Sequence, residues 1–371
     1  NGEIYNYKEI RAELEVNGHQ FIGNSDTEVV LHAFKQWGIN GIEKFIGMFA
    51  FVVYDSNKRE IFCVRDRTGV KPFFYYWKDD LFLFASELKA FHKHPQFKKE
   101  INYNSVAAFM QFGNIPSEFC IFNNCFKLKP GHFLKLDLSK KLIEIKQYWS
   151  VYNCYNKKAI DISFDEAKNE TEKLMHSAFN YRMISDVPVG VFLSGGYDSA
   201  CLTAILQKNR TEKLKTFTIG VPDIGLNEAN DAKAISNYLD TEHFDLTCTQ
   251  KEAIELIDQL PIIYDEPFAD SSAIPTALVS RLAKHYVTVA LSADGGDEVF
   301  AGYNRYDYLM KHGRILNNIP KPLRMGASNF MSKISSDKIP LLNKKYNFHN
   351  RYEKLKGLLK DPSSKNMMLS L

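Results

Sequence analysis

The stretch Val189-Gly190-Val191-Phe192-Leu193-Ser194-Gly195-Gly196-Tyr197-Asp198-Ser199-Ala200 constrains this chain more than any other. Its first five residues, mostly β-branched or large and apolar, predict a short strand buried on both faces. Two glycines allow a turn that larger residues would block. Asp198 and Ser199 suit the first turn of a helix whose apolar face is Leu202, Ala204, Ile205 and Leu206. Strand, glycine turn and helix N-terminus together make an anion cradle, with backbone N–H groups pointing outward and the positive end of the helix dipole behind them. A bare Ser-Gly-Gly equally suits an ordinary tight turn. The full Ser-Gly-Gly-x-Asp-Ser adds hydroxyls for phosphate oxygens and a carboxylate for Mg²⁺. The lysine of the Gly-x-x-x-x-Gly-Lys-Ser/Thr loop is missing, so chemistry at a γ-phosphate is not indicated.

That stretch resembles the pyrophosphate loop of the ATP-pyrophosphatases, which cleave ATP between its α and β phosphates and transfer AMP. The 371 residues suffice for two or more domains with full cores. A formal net charge of +3, with no basic block longer than a Lys-Lys pair, argues against a nucleic-acid binder. Cys63, Cys120, Cys125, Cys154, Cys201 and Cys248 show no zinc spacing and read as reduced, mostly buried thiols of a cytoplasmic protein. No signal peptide or membrane-spanning run is visible, and no membrane partner is expected. The chain opens at Asn1 without methionine and ends mid-pattern at Leu371, so a piece is expected to be missing from each end.

At the start, Asn1-Gly2 reads as a turn running into a helix, and Asn24-Ser25-Asp26-Thr27-Glu28 as an N-cap cluster for the next helix. Aromatic and β-branched runs at Met48–Tyr54, Glu60–Arg65, Phe73–Trp77 and Leu81–Ala85 predict antiparallel strands with helices packed on them. The loop Arg65-Asp66-Arg67-Thr68-Gly69-Val70-Lys71-Pro72 carries more charge than a plain hairpin needs. A polar stretch from about Val151 to Ser163 reads as a linker, with a helix from Phe164 to about Ile184 after it. Strands at Leu214–Val221, His243–Leu246 and Tyr286–Leu291 then alternate with helices at Glu228–Leu239, Lys251–Tyr264 and Ile274–His285, the pattern of a doubly wound parallel sheet. The last strand enters Ser292-Ala293-Asp294-Gly295-Gly296-Asp297-Glu298, placed where open parallel sheets bind ligands.

Asn1-Gly2-Glu3-Ile4-Tyr5-Asn6, Ser25–Glu28, Arg65–Pro72, Phe84–Ala90, Pro130-Gly131-His132 and Tyr148-Trp149 are similar, in order and spacing, to the glutaminase domain of asparagine synthetases, a class II N-terminal-nucleophile amidotransferase. Tyr264-Asp265-Glu266-Pro267, Asp270-Ser271 and Ser292–Tyr303 extend the resemblance to the synthetase domain. It implies an α/β chain: an incomplete αββα antiparallel sandwich over residues 1–157, then a doubly wound ATP-pyrophosphatase domain over 158–371.

In the first domain it implies Asn1 and the Gly2 N–H as oxyanion donors, worth roughly 3–4 kcal/mol apiece in such sites. Glu3 and Asp26 would hold the α-amino group of glutamine. The family's nucleophile is a cysteine at the mature N-terminus. No cysteine stands there, so the chain by itself is expected not to hydrolyse glutamine. In the second domain the resemblance implies Ser194, Gly195, Gly196, Asp198 and Ser199 around pyrophosphate, and Asp198 with Asp297 on Mg²⁺. Leu193, Ile219 and Ser292 would flank adenine and ribose. Ala293 stands where relatives often have Gly. Asp294 takes the place of the acid, often Glu, that assists ammonia attack.

The implied reaction is amidation of L-aspartate through an acyl-adenylate, with ATP, Mg²⁺ and ammonia from L-glutamine, in a protein whose relatives are often homodimers. Rival readings are the same scaffold acting on another carboxylate, as β-lactam synthetases do, and a non-catalytic assembly protein. Against the second stand three carboxylates, Asp198, Asp294 and Asp297, at one end of a sheet. Thiolation of tRNA would want catalytic cysteines and a basic surface, neither of which is present.

Overall fold

The computed structural model describes residues 1–117, 119–208, 210–221, 227–336, 348–363 and 365–367. They form two compact units, Asn1–Ser292 and Ala293–Leu371.

The first unit opens with strands β1 (Gly2–Ile4), β2 (Gly47–Asp55) and β3 (Glu60–Arg65), followed by β4 (Phe74–Lys78), β5 (Leu81–Ala85) and β6 (Cys125–Lys127), then β7 (His132–Asp137) and β8 (Leu142–Gln147). They pair into two antiparallel sheets, β1-β2-β3-β7-β8 and β5-β4-β6. Both long hairpins of the larger sheet close the same way. Asp55 Oδ1 accepts the N–H groups of Asn57 and Lys58, and Asp137 Oδ1 those of Ser139 and Lys140. Each turn then passes through one left-handed residue, Arg59 or Lys141.

Side-chain alternation divides these strands among three apolar layers. Ala50, Cys63, Leu134 and Leu136 face Phe73, Tyr75 and Leu128 between the two sheets. On the outer face of the large sheet, Phe49 and Val64 meet helices α1 (Tyr7–Val16) and α2 (Asp26–Trp37) through Ile10, Leu14, Val29 and Ala33. On the outer face of the small sheet, Tyr76 and Cys125 meet the 3₁₀ turn Leu88–Lys93 and helix α3 (Tyr103–Phe112). Helix, sheet, sheet, helix is the expected αββα order. One local expectation fails in part: Gly2–Ile4 is a strand rather than a turn, because it pairs antiparallel with Gly47–Phe49, and the expected helix follows as α1.

The expected linker also differs. Val151–Tyr155 forms a short helix, α4, capped by Ser150, before an exposed stretch. Helix α5 (Phe164–Arg182) starts at a capping box between Ser163 and Glu166. Then come β9 (Val189–Phe192), α6 (Tyr197–Gln207), β10 (Lys215–Gly220), α7 (Ala229–Leu239) and β11 (Glu242–Thr247). After them lie α8 (Gln250–Ile257), α9 (Leu260–Ile263), α10 (Ala273–Ala283) and β12 (Val289–Leu291).

The parallel order is β11-β10-β9-β12. The chain steps outward from β9 through β10 to β11, then returns to the other side of β9. Strand order therefore reverses at β9, where open sheets bind ligands. Thr216, Phe217 and Thr218 are consecutive and all at most 5% exposed, so both faces of β10 are covered. Phe217 packs on Val279 and Ala283 of α10 and stacks on Phe244.

The second unit consists, among the described residues, of helices including Asn304–Asn318, Lys321–Ser332 and Phe348–Lys360 around Leu316, Leu358 and Met367. No helix among the described residues is long and apolar enough to cross a membrane.

Gly190 is the tightest point of the parallel sheet. A Cβ there would lie 2.5 Å from Phe217 Cε2 and 3.1 Å from the Lys215 carbonyl oxygen. Gly190→Ala is expected to cost about 1–3 kcal/mol, the usual penalty for overpacking, read from the urea midpoint. An unchanged midpoint would show that Phe217 does not press on β9.

Candidate active sites

Asn1 and Gly2 are held as part of the large sheet. The Asn1 backbone nitrogen donates to the Ala50 carbonyl (3.0 Å) and the Asn1 carbonyl accepts the Ala50 N–H (2.8 Å). The Asn1 Nδ2 amide donates to Ser86 Oγ at 3.0 Å. Gly2 is irreplaceable, because its φ is +118° and a Cβ would fall 2.0 Å from the Met48 carbonyl oxygen.

Asp26 is not the N-cap of α2. Ser25 takes that role, accepting the Thr27 N–H, and Asp26 Oδ2 instead accepts the Ile4 N–H at 2.9 Å. The bond pins α2 to β1 and brings Asp26 close enough to Glu3 to act on its charge. Burial, then Asp26, then Asp186 push the Glu3 carboxyl above the usual glutamate range, against smaller pulls from Lys71 and the N-terminus. An ammonium placed between Glu3 and Asp26 would relieve that strain.

The charged loop is a scaffold for this corner. Asp66, 1% exposed, accepts N–H groups from Phe49, Thr68, Val70 and Lys71. The Arg65 guanidinium donates to the carbonyls of Lys71, Gly69 and Leu128, and Arg67 to those of Glu43 and Phe45. Because Phe49 lies opposite Gly2 in the ladder, the Asp66 cage fixes the strand on which Gly2 rests.

The second candidate site is the turn after β9. Gly196 ends the turn and α6 begins at Tyr197, so Asp198 and Ser199 fall in its first turn as expected. Asp198 is exposed, whereas Ser199 is buried. The Ser199 hydroxyl accepts the Ser194 N–H (3.1 Å), lies 2.9 Å from Ser194 Oγ, and reaches the Ser194 and Gly196 carbonyls. It stitches the loop from inside rather than facing out of it. The Leu193 side chain is core and its N–H and carbonyl are taken by Phe217 and Thr218 of β10. Ile219 is half-buried near the end of β10, and Ser292 leaves β12 at the same end of the sheet as Ser194 leaves β9.

Two acids escaped the sequence reading. The Gly195 N–H donates to Glu228 Oε2 at 3.2 Å, and a Cβ on Gly195 would lie 2.9 Å from Asp231 Cβ. They arrive from α7 and the residue before it, a neighbourhood that spacing along the chain does not reveal. On this side a helix N-terminus and an outward Asp198 suit Mg²⁺-pyrophosphate, while the N–H groups of Ser194, Gly195 and Gly196 are already bonded within the protein.

In the second unit, Ala293 is half-buried and Asp294 exposed. Gly295 has a φ of +96° and leads into the short helix Gly296–Phe300, which carries a half-buried Asp297. A Cβ on Gly302 would collide with Asp297 Oδ1 at 2.0 Å, so the glycine makes room for that carboxylate.

An αββα sandwich followed by a parallel sheet with a Ser-Gly-Gly-x-Asp-Ser turn at its switch point defines a class, two-part amidotransferases. Residues 1–149 match the family described as glutamine amidotransferase domain, and residues 170–369 match asparagine synthase. The chain belongs to the asparagine synthase family. It is 39% identical over 345 residues to a Methanocaldococcus jannaschii protein named "Putative asparagine synthetase (glutamine-hydrolyzing) 2", covering 90% of this chain and 64% of that one. It is 35% identical over 306 residues to asparagine synthetase (glutamine-hydrolyzing) 1 of Bacillus subtilis, covering 82% of this chain and 47% of the relative. The chain thus spans between about half and two thirds of the length of these curated relatives.

Because Glu3 holds its proton more tightly folded than unfolded, its ionisation removes stability as pH rises from the ordinary value of 4.5 through the raised one. Glu3→Gln is therefore expected to raise the thermal midpoint at pH 8, with the gain disappearing below pH 4.5, by calorimetry across pH. A variant less stable than wild type at pH 8 would contradict the crowding of Glu3 by acids.

Proposed function

We propose that the chain is part of a glutamine-hydrolysing asparagine synthetase, with an amide-hydrolysing portion over residues 1–157 and a synthetase portion over 158–371. The reading is carried by the turn Ser194–Ser199, an anion cradle at the point where the parallel strand order reverses. Support comes from the two family matches on either side of the expected boundary.

In the synthetase portion, a carboxylate oxygen of the acceptor, L-aspartate, attacks the α-phosphorus of ATP. The bond to the bridging oxygen breaks, pyrophosphate leaves and an acyl-adenylate remains. Ammonia then adds to the acyl carbon and AMP departs, giving the amide. Positioning and neutralisation of charge account for most of the barrier lowered in such phosphoryl chemistry. The α6 N-terminus receives pyrophosphate oxygens, since the N–H groups of Ser194, Gly195 and Gly196 are bonded to the side chains of Ser199, Glu228 and Ser194. Asp198 would hold Mg²⁺, which neutralises phosphate charge when bound. Ile219 and Ser292 border the nucleoside.

In the amide-hydrolysing portion, the Asn1 amide and the Gly2 N–H meet the oxyanion of the tetrahedral intermediate, while Glu3 and Asp26 hold the substrate ammonium. Ser86 holds Asn1 for this task, since an amide anchored through Nδ2 has one rotamer and one remaining N–H to aim.

Asp198→Ala in the whole protein, supplied with ammonium, ATP and aspartate, is expected to cut pyrophosphate release by about a hundredfold, the scale of losing one charge-stabilising group. Release at the wild-type rate would remove Asp198 from the nucleotide site. Mass analysis of the product with aspartate against other carboxylic acids tests the acceptor.

A further inference from the structure

The loop between α9 and α10 reaches out of the parallel-sheet region and seats two consecutive acids in the αββα region. Asp265 Oδ2 accepts the Leu88 N–H at 2.6 Å, and Oδ1 lies 3.4 Å from the Lys89 nitrogen and 3.6 Å from its Nζ. Lys89 Nζ also donates to the Ile262 carbonyl at 2.6 Å. Glu266 Oε1 accepts the Ile121 N–H at 2.8 Å, and Oε2 pairs with Lys127 Nζ at 2.5 Å. The Ala269 N–H closes the contact on the Gly113 carbonyl at 2.8 Å.

Two features separate this contact from simple packing. The 3₁₀ turn Leu88–Lys93 has no cap of its own, because its N-cap residue Glu87 makes no side-chain bond there. Asp265 supplies that cap from 177 residues away. Second, the two carboxylates are only 10% and 13% exposed, and apolar side chains of similar volume would hold two surfaces together as well or better. Charged groups here fix position. What they fix is close to the chemistry: Ser86, two residues before Leu88, is the group that holds the Asn1 amide.

We propose that Asp265 and Glu266 are positioning residues through which the synthetase portion sets the placement of the Ser86–Asn1 pair, so that amide hydrolysis depends on an intact loop 264–269. The inference rests on the functional reading above for its link to hydrolysis, and on the hydrogen bonds alone for the docking.

Asp265→Ala in the whole protein tests both. Amide hydrogen exchange at Leu88 and Lys89 is expected to accelerate at least about tenfold, as for a bond opened locally. Glutamine-dependent amide formation is expected to fall about fivefold, in kcat rather than in the KM for glutamine, a size ordinary for coupling between sites. Ammonium-dependent formation stays within about twofold of wild type by the same reasoning. Unchanged exchange at Leu88, or equal loss of both activities, overturns the proposal. Absence of glutamine hydrolysis in the wild type would instead sink the functional reading, leaving exchange to judge the docking. Should Asp265→Ala fail to fold, Glu266→Gln, Lys127→Met and the double variant replace it. Exchange at Ile121 and the glutamine-dependent rate must then change non-additively, and strict additivity refutes the pairing.

Discussion

Strand β9 has neighbours on both sides and a buried centre at Gly190 and Val191, and most of what the parallel region does follows from that confinement. A strand so buried cannot bend toward a ligand, so only the residues just past its end can. The Ser194–Ser199 turn must leave the sheet sharply, and the Ser199 hydroxyl makes that possible by tying the Ser194 N–H and two carbonyls into one knot. Gly190 lets Phe217 close over the strand from the next one, and Phe217 in turn seats α10. The Ser194–Ser199 turn is rigid because the strand beneath it has no freedom to give.

The αββα region reaches rigidity by a different route. Its oxyanion candidates, Asn1 and Gly2, lie beside Ala50 and Phe49 of β2. Ionised side chains turned inward do the holding. Asp66 collects four N–H groups, Arg65 three carbonyls, and Asp26 the Ile4 N–H. Charge-assisted bonds to backbone are stronger than neutral ones and point in fixed directions. The same device, Asp265 and Glu266 reaching to Leu88 and Ile121, recurs between the two regions.

Much of this was legible along the chain. The β3 and β5 runs begin and end where their composition says, and the glycine turn with its helix lies where expected. Gly2–Ile4 was misread because a three-residue strand carries no period; its partner Gly47–Phe49 alone makes it a strand. The extra charge of Arg65–Lys71 was visible, but not that it points inward. Glu228, Asp231, Asp186 and Ser86 were missed for a common reason. Each comes to its site from a loop or helix distant along the chain, and sequence separation says nothing about such neighbours.

Sequence alone determined most element types and the position of the glycine turn after β9, since these depend on side-chain period, turn residues and local backbone freedom. Tertiary structure decided the burial of Ser199, the diversion of Asp26 from helix cap to strand anchor, the crowding that raises Glu3, and the reach of Asp265 into the other half. Each of these is a free energy of desolvation or of a directed hydrogen bond, and both depend on which atoms lie within a few ångströms, a quantity fixed only when the chain has folded.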